Sequence, residues 1–174
     1  MLRMALPRPM AVAWSHDHRF PSPGADGIVK AVAIERAGGA LDHQGLERWS
    51  ISAGGDVLVR ASADDWLRRV AVVDPDGGLL TAVHLPEHLH AIATSGIAER
   101  GEHIRGRSDV AQASVIAGDA VTADVLATAL VASPSAACDA LLDGTGAAAL
   151  LVLDDGRLLV TPGFRAAMAA ARGA

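Results

Sequence analysis

The sequence lacks most of the residues that cross-link or anchor a small protein. Its 174 residues include a single cysteine, Cys138, and no tyrosine. One cysteine excludes an intrachain disulfide framework and a zinc site built from several cysteines. It also favours a reducing compartment, so we expect a cytoplasmic protein. No apolar run approaches the roughly 18 residues that a membrane-spanning helix needs, and we therefore expect no membrane span.

Charge and aromatic content narrow the functional classes further. The 15 basic residues, of which Lys30 is the only lysine, are outnumbered by 20 acidic residues, and the net charge is −5. A non-specific nucleic-acid binder would instead be basic. The hydrophobic share of 51% excludes a disordered chain. Because 36 residues are alanine and only 3% are aromatic, each buried side chain contributes little apolar area to the core.

Apolar spacing and turn residues divide the chain into helices and short strands. Residues 28–37 carry one apolar face, which predicts a helix that Gly38-Gly39 terminates. Residues 122–132 predict a second helix, and a third begins at Ser133 and runs to Leu142. Because strands come in groups rather than alternating with helices, we predict an α+β fold with a mixed or antiparallel sheet flanked by helices. The predicted strands are 49–53, 57–61, 67–73, 79–85, 89–94, 111–117, 148–153 and 158–160, and a tail helix covers 164–171.

Asp124 and Thr128 form the first candidate site. They are four residues apart on a predicted helix, so both side chains project from one face. A carboxylate and a hydroxyl suit a hard cation such as Mg²⁺, which prefers oxygen ligands. The alternative is that Asp124 lies in the first turn only because an acid there is favourable to the helix dipole.

Two further segments carry small polar residues at strand ends. In the turn Gly54-Gly55-Asp56, paired glycines allow a backbone to approach a ligand closely, although the same residues also make a plain hairpin turn. Thr94 and Ser95 lead into a polar loop, residues 98–109, that contains His103. Their hydroxyls suit a phosphate or a ribose, and a loop histidine suits proton transfer near neutral pH. A turn followed by a surface histidine is the competing interpretation.

The remaining reactive side chains favour simpler interpretations. His84, His88 and His90 have a spacing that suggests a zinc site. However, Pro86 breaks any helix between them, and no third nearby acid or cysteine completes the set of ligands. We interpret them as partly exposed strand histidines. Cys138 lies in an alanine-rich helix and is interpreted as a small core residue.

The order of several segments resembles the C-terminal half of the ApbE family, the FAD:protein FMN transferases. The resemblance covers residues 24–164, and the closing segments are similar to those of actinobacterial members. It implies a half of a T-fold-like α+β domain, preceded by an irregular segment, 1–23, and followed by an alanine-rich tail, 165–174. The segments are Gly27–Ala37, Ala53–Asp56, Trp66 with Asp74-Pro75, Ala93–Gly96, Glu99–Ile104, Ala123–Ala129, Asp155–Arg157 and Thr161–Phe164.

The resemblance implies a chemistry and a role for each matched residue. Members cleave FAD with Mg²⁺ and transfer FMN to a Thr or Ser hydroxyl of a target flavoprotein, releasing AMP. The metal ligands match Asp124, Thr128 and the backbone carbonyl of Gly27, and His103 matches the residue that assists deprotonation of the acceptor hydroxyl. The cofactor-contacting positions match Lys30, Gly54, Gly55, Asp56, Thr94 and Ser95.

The chain departs from the family pattern in four places, of which the first is Gly24, where the family usually has Asp. The family's Lys-Gly is Lys30-Ala31 here, and its Asp-Pro-x-Thr-Gly after the histidine is replaced by residues 105–108. We also expect that this chain lacks the family's N-terminal half, which is rich in tyrosine and serine. We therefore weigh a truncated or degenerate flavin-binding protein without turnover as the alternative function. We also expect either marginal stability or a homodimer that covers the side left open.

Overall fold

The computed structural model describes residues 12–13, 26–96 and 108–173, and their architecture confirms the predicted α+β class. Within these residues, four helices and nine strands follow one another without regular alternation. The helices are α1 (Asp26–His43), α2 (Ala120–Val131), α3 (Cys138–Leu142) and α4 (Pro162–Arg172). The strands are β1 (Val12–Ala13), β2 (Trp49–Ala53), β3 (Asp56–Arg60), β4 (Arg69–Val73), β5 (Leu79–His84), β6 (Ala91–Gly96), β7 (Val110–Ala117), β8 (Ala148–Leu153) and β9 (Leu158–Val160).

Seven strands form one sheet, in the order β1-β2-β3-β6-β7-β8-β9. Strand β1 is parallel to β2, and every other neighbouring pair is antiparallel. Strands β4 and β5 pair only with each other and form a separate hairpin. The sheet is therefore mixed, with one parallel pair at an edge.

The large sheet is covered on both faces. Helices α1 and α2 pack on one face, and α4 with the β4–β5 hairpin packs on the other. Strand β7 is central, and alternate side chains enter opposite cores: Val115 joins the helix-side core, whereas Ile116 joins the hairpin-side core. Consecutive residues of a strand in this sheet therefore point to opposite faces and enter different cores.

Helix α1 does not end at Gly38-Gly39, so the predicted stop was wrong. The helix continues to His43, and Gly38 is buried inside it. A Cβ at Gly38 would lie 2.6 Å from the Cη2 atom of Trp49. The glycine is present because the Trp49 ring of β2 packs against the helix backbone, a tertiary contact that overrides the low helix propensity of glycine.

Other boundaries also differ from the predicted ones. The segment predicted as a strand from Leu67 begins as a short 3₁₀ helix, Trp66–Arg68, and becomes extended only at Arg69. The Arg68 guanidinium is buried and donates to six backbone carbonyls, which requires the chain to curl at this point. The helix predicted from Ser133 divides into a 3₁₀ turn and α3. The polar loop lies outside the described residues except for its last two positions.

The tail helix α4 is anchored to the body of the protein. It begins at Pro162, two residues before the predicted start, and Phe164 is fully buried in the hairpin-side core together with Ala167. No helix in the described part of the chain is both long and apolar enough to cross a membrane.

Candidate functional site

Lys30 joins helix α1 to the glycine turn between β2 and β3. Its Nζ donates to the backbone carbonyl of Gly54 over 2.9 Å and lies 3.1 Å from Oδ2 of Asp56. The Asp56 side chain is 1% exposed, and that of Lys30 is 21% exposed. A buried carboxylate is costly without a nearby cation, so this pair fixes the turn against the helix.

The position of Asp56 follows from strand alternation. Asp56 and Leu58 project from the same face of β3, and Leu58 belongs to the helix-side core. Asp56 therefore points towards the helices, at the end of the strand where Lys30 reaches it. The sequence places the only lysine of the chain opposite this carboxylate, on an element that begins 30 residues earlier.

Both glycines of the turn adopt backbone conformations that other residues avoid. Gly54 has φ of 53° and Gly55 has φ of 87°, as the tight turn between two antiparallel strands requires. A Cβ at Gly55 would lie 3.9 Å from the carbonyl oxygen of Thr94. The turn therefore lies beside the backbone of β6, which brings the second and third candidate segments of the sequence together.

The side chains of Thr94 and Ser95 lie on opposite faces of the sheet. Ser95 faces α2, and its Oγ lies 3.2 Å from Oγ1 of Thr128. Thr94 faces the opposite side, where its Oγ1 lies 2.8 Å from Oγ of Ser114 on the neighbouring strand. Only Ser95 is thus on the face that carries α1 and α2, and any role of Thr94 on that face belongs to its backbone.

Asp124 and Thr128 lie one turn apart on the inner side of α2. Asp124 is 5% exposed, and Ala123 and Ala127 beside it are fully buried. Asp124 is not part of the helix start, because Asp119 caps the helix by accepting from Thr122 N over 2.7 Å. The interpretation of Asp124 as a helix-dipole acid is therefore wrong: it is a buried carboxylate in the second turn.

The donor set suits a hard cation. Within the described ranges, no three His, Cys, Asp or Glu side chains lie together as a metal cluster. Mg²⁺ does not need such a cluster, since one carboxylate with hydroxyl, carbonyl, water and phosphate oxygens completes its shell. A buried aspartate one helical turn from a threonine fits this chemistry. Gly27, the proposed carbonyl ligand, is the second residue of α1.

His103 lies outside the described residues, so its role stays a prediction. The family's glycine after the lysine is Ala31 here, and its methyl group is fully buried in the helix-side core. The methyl group therefore packs into the protein interior. Sequence reasoning missed the contact that Glu35 of α1 makes with α2. It also missed Ser114, the partner of Thr94 on the opposite face of the sheet. Glu35 accepts a hydrogen bond from the first residue of α2, and no local signal in the sequence announces a contact across 85 positions.

The other reactive side chains lie elsewhere. Nε2 of His84 is 2.6 Å from the carbonyl of Ala63, and Nδ1 of His90 is 3.4 Å from the Arg68 guanidinium. Burial and the neighbouring Arg68 lower the pKa of His90. Cys138 is buried, as expected for a core residue, and burial raises the pKa of its thiol.

The family model of the ApbE family matches residues 24–151, which is most of the chain. The chain belongs to the ApbE family. This match spans α1, the glycine turn, β6, β7 and α2, the elements that carry the candidate site. A comparison with curated protein sequences found no match.

Solved structures with the same fold include ApbE proteins from three bacteria. The ApbE protein of Thermotoga maritima is 26% identical, with a TM-score of 0.68 over 83% of this chain and 52% of its own. The flavin transferase ApbE of Vibrio cholerae is 23% identical, with a TM-score of 0.64 over 80% of this chain and 50% of its own. The flavinyl transferase ApbE of Pseudomonas stutzeri is 20% identical, with a TM-score of 0.65 over 82% of this chain and 50% of its own. The chain spans about half the length of these relatives.

Proposed function

We propose that this chain binds FAD and, with Mg²⁺, transfers FMN to a Thr or Ser hydroxyl of a target flavoprotein with release of AMP. The observation that carries the proposal is the contact of Lys30 with Gly54 and Asp56 on the sheet face that also holds Ser95, Thr128 and Asp124. Family membership supports it, as does the likeness in fold to the flavin transferase ApbE of Vibrio cholerae and the flavinyl transferase ApbE of Pseudomonas stutzeri.

The glycine turn and β6 supply the groups that would hold the nucleotide. At Gly54 and Gly55 the absence of side chains leaves room for a flat ring against the backbone. Lys30 keeps the turn in place, because its ammonium binds the Gly54 carbonyl and the Asp56 carboxylate at once. Ser95 adds a hydroxyl at the boundary between the turn and α2.

Asp124, Thr128 and the Gly27 carbonyl would hold the cation. Bound there, Mg²⁺ neutralises the charge of the pyrophosphate and polarises the phosphorus under attack. Asp124 supplies the only negative charge of this set, and its burial excludes the water that would otherwise screen that charge. Oγ1 of Thr128 lies 3.2 Å from Oγ of Ser95, and this contact orients the Thr128 side chain.

His103 is proposed to accept the proton of the acceptor hydroxyl. The acceptor oxygen bonds to the phosphorus of the FMN half, the bond from that phosphorus to the bridging oxygen breaks, and AMP leaves with the bridging oxygen. A histidine suits this step because its ordinary pKa lies close to neutral pH.

A transfer assay tests the proposed function. The full chain is incubated with FAD, Mg²⁺ and a flavoprotein that carries a threonine flavinylation site. We expect covalent flavin fluorescence on the acceptor in a denaturing gel, and an equal amount of AMP. Asp124→Asn should abolish both products, whereas Asp139→Asn, an equal charge change at an exposed position of α3, should abolish neither.

Two results would argue against transfer by this chain. FAD binding without covalent flavin would favour the alternative, a flavin-binding protein without turnover. Unchanged transfer by Asp124→Asn would remove the metal assignment. The homodimer stays a prediction; the edge strand β9 exposes Leu158 and Leu159 at 45% and 39%.

A further inference from the structure

A carboxylate of helix α1 caps the N-terminus of helix α2. Oε1 of Glu35 accepts from the backbone N–H of Ala120 over 2.5 Å. Ala120 is the first residue of α2 and is 1% exposed. The first N–H groups of a helix have no partner within the helix, and a buried one left without an acceptor is unfavourable. Glu35 therefore supplies from another helix what a capping box supplies locally.

The rest of that helix start is satisfied by its own cap. Asp119 accepts from the N–H and the hydroxyl of Thr122, each over 2.7 Å. Two carboxylates thus meet the positive end of the α2 dipole. Asp119 acts within the α2 segment alone, so Glu35 is the one that ties the position of α2 to that of α1.

Topology gives the direction of the two helices. Strands β2 and β7 are related by three antiparallel pairings, β2–β3, β3–β6 and β6–β7, so they run in opposite directions. Helix α1 leads by a short turn into β2 and packs on it, and α2 follows β7 by a short turn and packs on it. Each helix runs back along its strand, and α1 and α2 are therefore antiparallel.

The Glu35–Ala120 contact then determines which residues of α1 lie opposite which residues of α2 along the helix axes. Gly27 precedes Glu35 by eight residues, and Thr128 follows Ala120 by eight. At the helical rise, each lies about 12 Å from the contact along its own axis. Because the helices are antiparallel, both distances run in the same direction, and Gly27 is level with Thr128.

We propose that Glu35 is a positioning residue that sets the register of α1 against α2, so that the Gly27 carbonyl meets Asp124 and Thr128 at one cation site. The inference rests on the proposed function, because it takes those three residues as cation ligands. In this role Glu35 is not itself a ligand of the cation or of FAD. It acts through a backbone N–H that lies one helical turn before Asp124.

Three substitutions at Glu35 distinguish the effect of side-chain length from the effect of side-chain charge. Glu35→Gln keeps an oxygen at the same distance, Glu35→Asp keeps the charge but shortens the side chain, and Glu35→Ala removes both. The readout is the Mg²⁺ concentration that gives half-maximal FAD binding, measured by calorimetry below the melting temperature of each variant. Glu47→Ala, an exposed glutamate outside the helices, is the matched control.

We expect the alanine and aspartate variants to need about tenfold more Mg²⁺, the effect typical of residues that orient a metal ligand. The glutamine variant and Glu47→Ala should stay within about threefold of the wild type, because an amide oxygen still accepts the Ala120 N–H. Should Glu35→Ala fail to fold, the contrast between the glutamine and aspartate variants still decides the question. FAD binding at saturating Mg²⁺ should recover in every folded variant.

Amide hydrogen exchange distinguishes the outcomes. Faster exchange at Ala120 with an unchanged Mg²⁺ requirement in Glu35→Ala would overturn the positioning role and leave a helix cap only. An equal Mg²⁺ shift in Glu35→Gln and Glu35→Ala would also overturn it. If the wild type itself binds FAD without regard to Mg²⁺, the proposed function fails first, and the positioning role fails with it.

Discussion

The Lys30 ammonium lies 3.1 Å from the Asp56 carboxylate and links helix α1 to the turn between β2 and β3. The pair is unlike the surface pairs of the same protein, since Asp56 is 1% exposed whereas Asp155 of the Arg157 pair is 55% exposed. A solvent-exposed pair adds little stability, and a buried one is costly to break.

Replacing Lys30 with methionine should therefore destabilise the fold. The substitution keeps an unbranched side chain but removes the ammonium that lies 3.1 Å from the buried Asp56 carboxylate. We expect a loss of about 3 kcal/mol, the low end for a buried pair because Lys30 is partly exposed. Urea unfolding monitored by circular dichroism measures the change. Arg157→Met, which breaks an exposed pair, should leave the midpoint in place; equal shifts in both variants would refute the distinction.

Adjacent glycines in α1 should respond in opposite ways to alanine. Among the described residues, no neighbouring group lies within 4 Å of the place that a Cβ of residue 39 would take. Gly39→Ala should therefore stabilise the protein by about 1 kcal/mol through helix propensity. At Gly38 the new methyl would meet the Trp49 ring at 2.6 Å. Overpacking there should outweigh the propensity gain and destabilise by about 1–2 kcal/mol net. Thermal melts of the two variants test this, and a stabilised Gly38→Ala would contradict it.

These glycines also illustrate what the sequence could and could not predict. Strands 49–53, 148–153 and 158–160 were predicted to the residue, because alternation and turn residues are local signals. The predicted end of helix α1 was wrong because Gly38 packs against Trp49, a contact made only in the folded chain. Local propensity describes a segment in isolation, and tertiary packing replaced it here.

The candidate site divides in the same way. Spacing alone placed Asp124 and Thr128 on one helix face, and the structure puts that face inward. The separation of Thr94 from Ser95 by the sheet follows from alternation along β6 and was within reach of the sequence. The Glu35–Ala120 contact was not, since nothing near either residue specifies the other.

Arg68 should be hard to replace even by lysine. Its guanidinium donates to the carbonyls of Ala61, Ser62, Pro86, Glu87 and Leu89 at 3.0–3.3 Å and holds the β4–β5 hairpin against the sheet. A lysine has three donors and no planar fork, so buried carbonyls would lose partners. We expect Arg68→Lys to cost about 3 kcal/mol. Its neighbour Arg69 is exposed, and Arg69→Lys should be neutral in the same urea titration.

Acid should weaken the contact between Asp109 and Ser135. Hydrogen bonds from the Ser135 hydroxyl and N–H lower the pKa of Asp109. A lowered pKa means that the folded state binds this proton less readily than the unfolded state, so the contribution is complete above the unfolded pKa and is lost as pH falls through the folded one. The stability difference between wild type and Asp109→Asn should be flat above about pH 5 and shrink below about pH 4.

Urea midpoints measured from pH 7 to pH 2.5 test this expectation. Taking the difference between two proteins at each pH removes the titration of all other groups. Asp139→Asn, at an exposed position of α3, is the matched control for the loss of one carboxylate away from the Asp109–Ser135 contact. A wild-type advantage that grows on acidification would contradict the account.

The most direct test of the central claim is FAD binding by isothermal titration calorimetry, with and without Mg²⁺. We predict that wild type binds FAD only when Mg²⁺ is present, and that Asp124→Asn loses this dependence together with most of the affinity, because Asp124 is the one charged group among the three proposed protein ligands. Asp139→Asn should behave as wild type. FAD binding that is equal with and without Mg²⁺, or unaffected by Asp124→Asn, would contradict a cation site on α2.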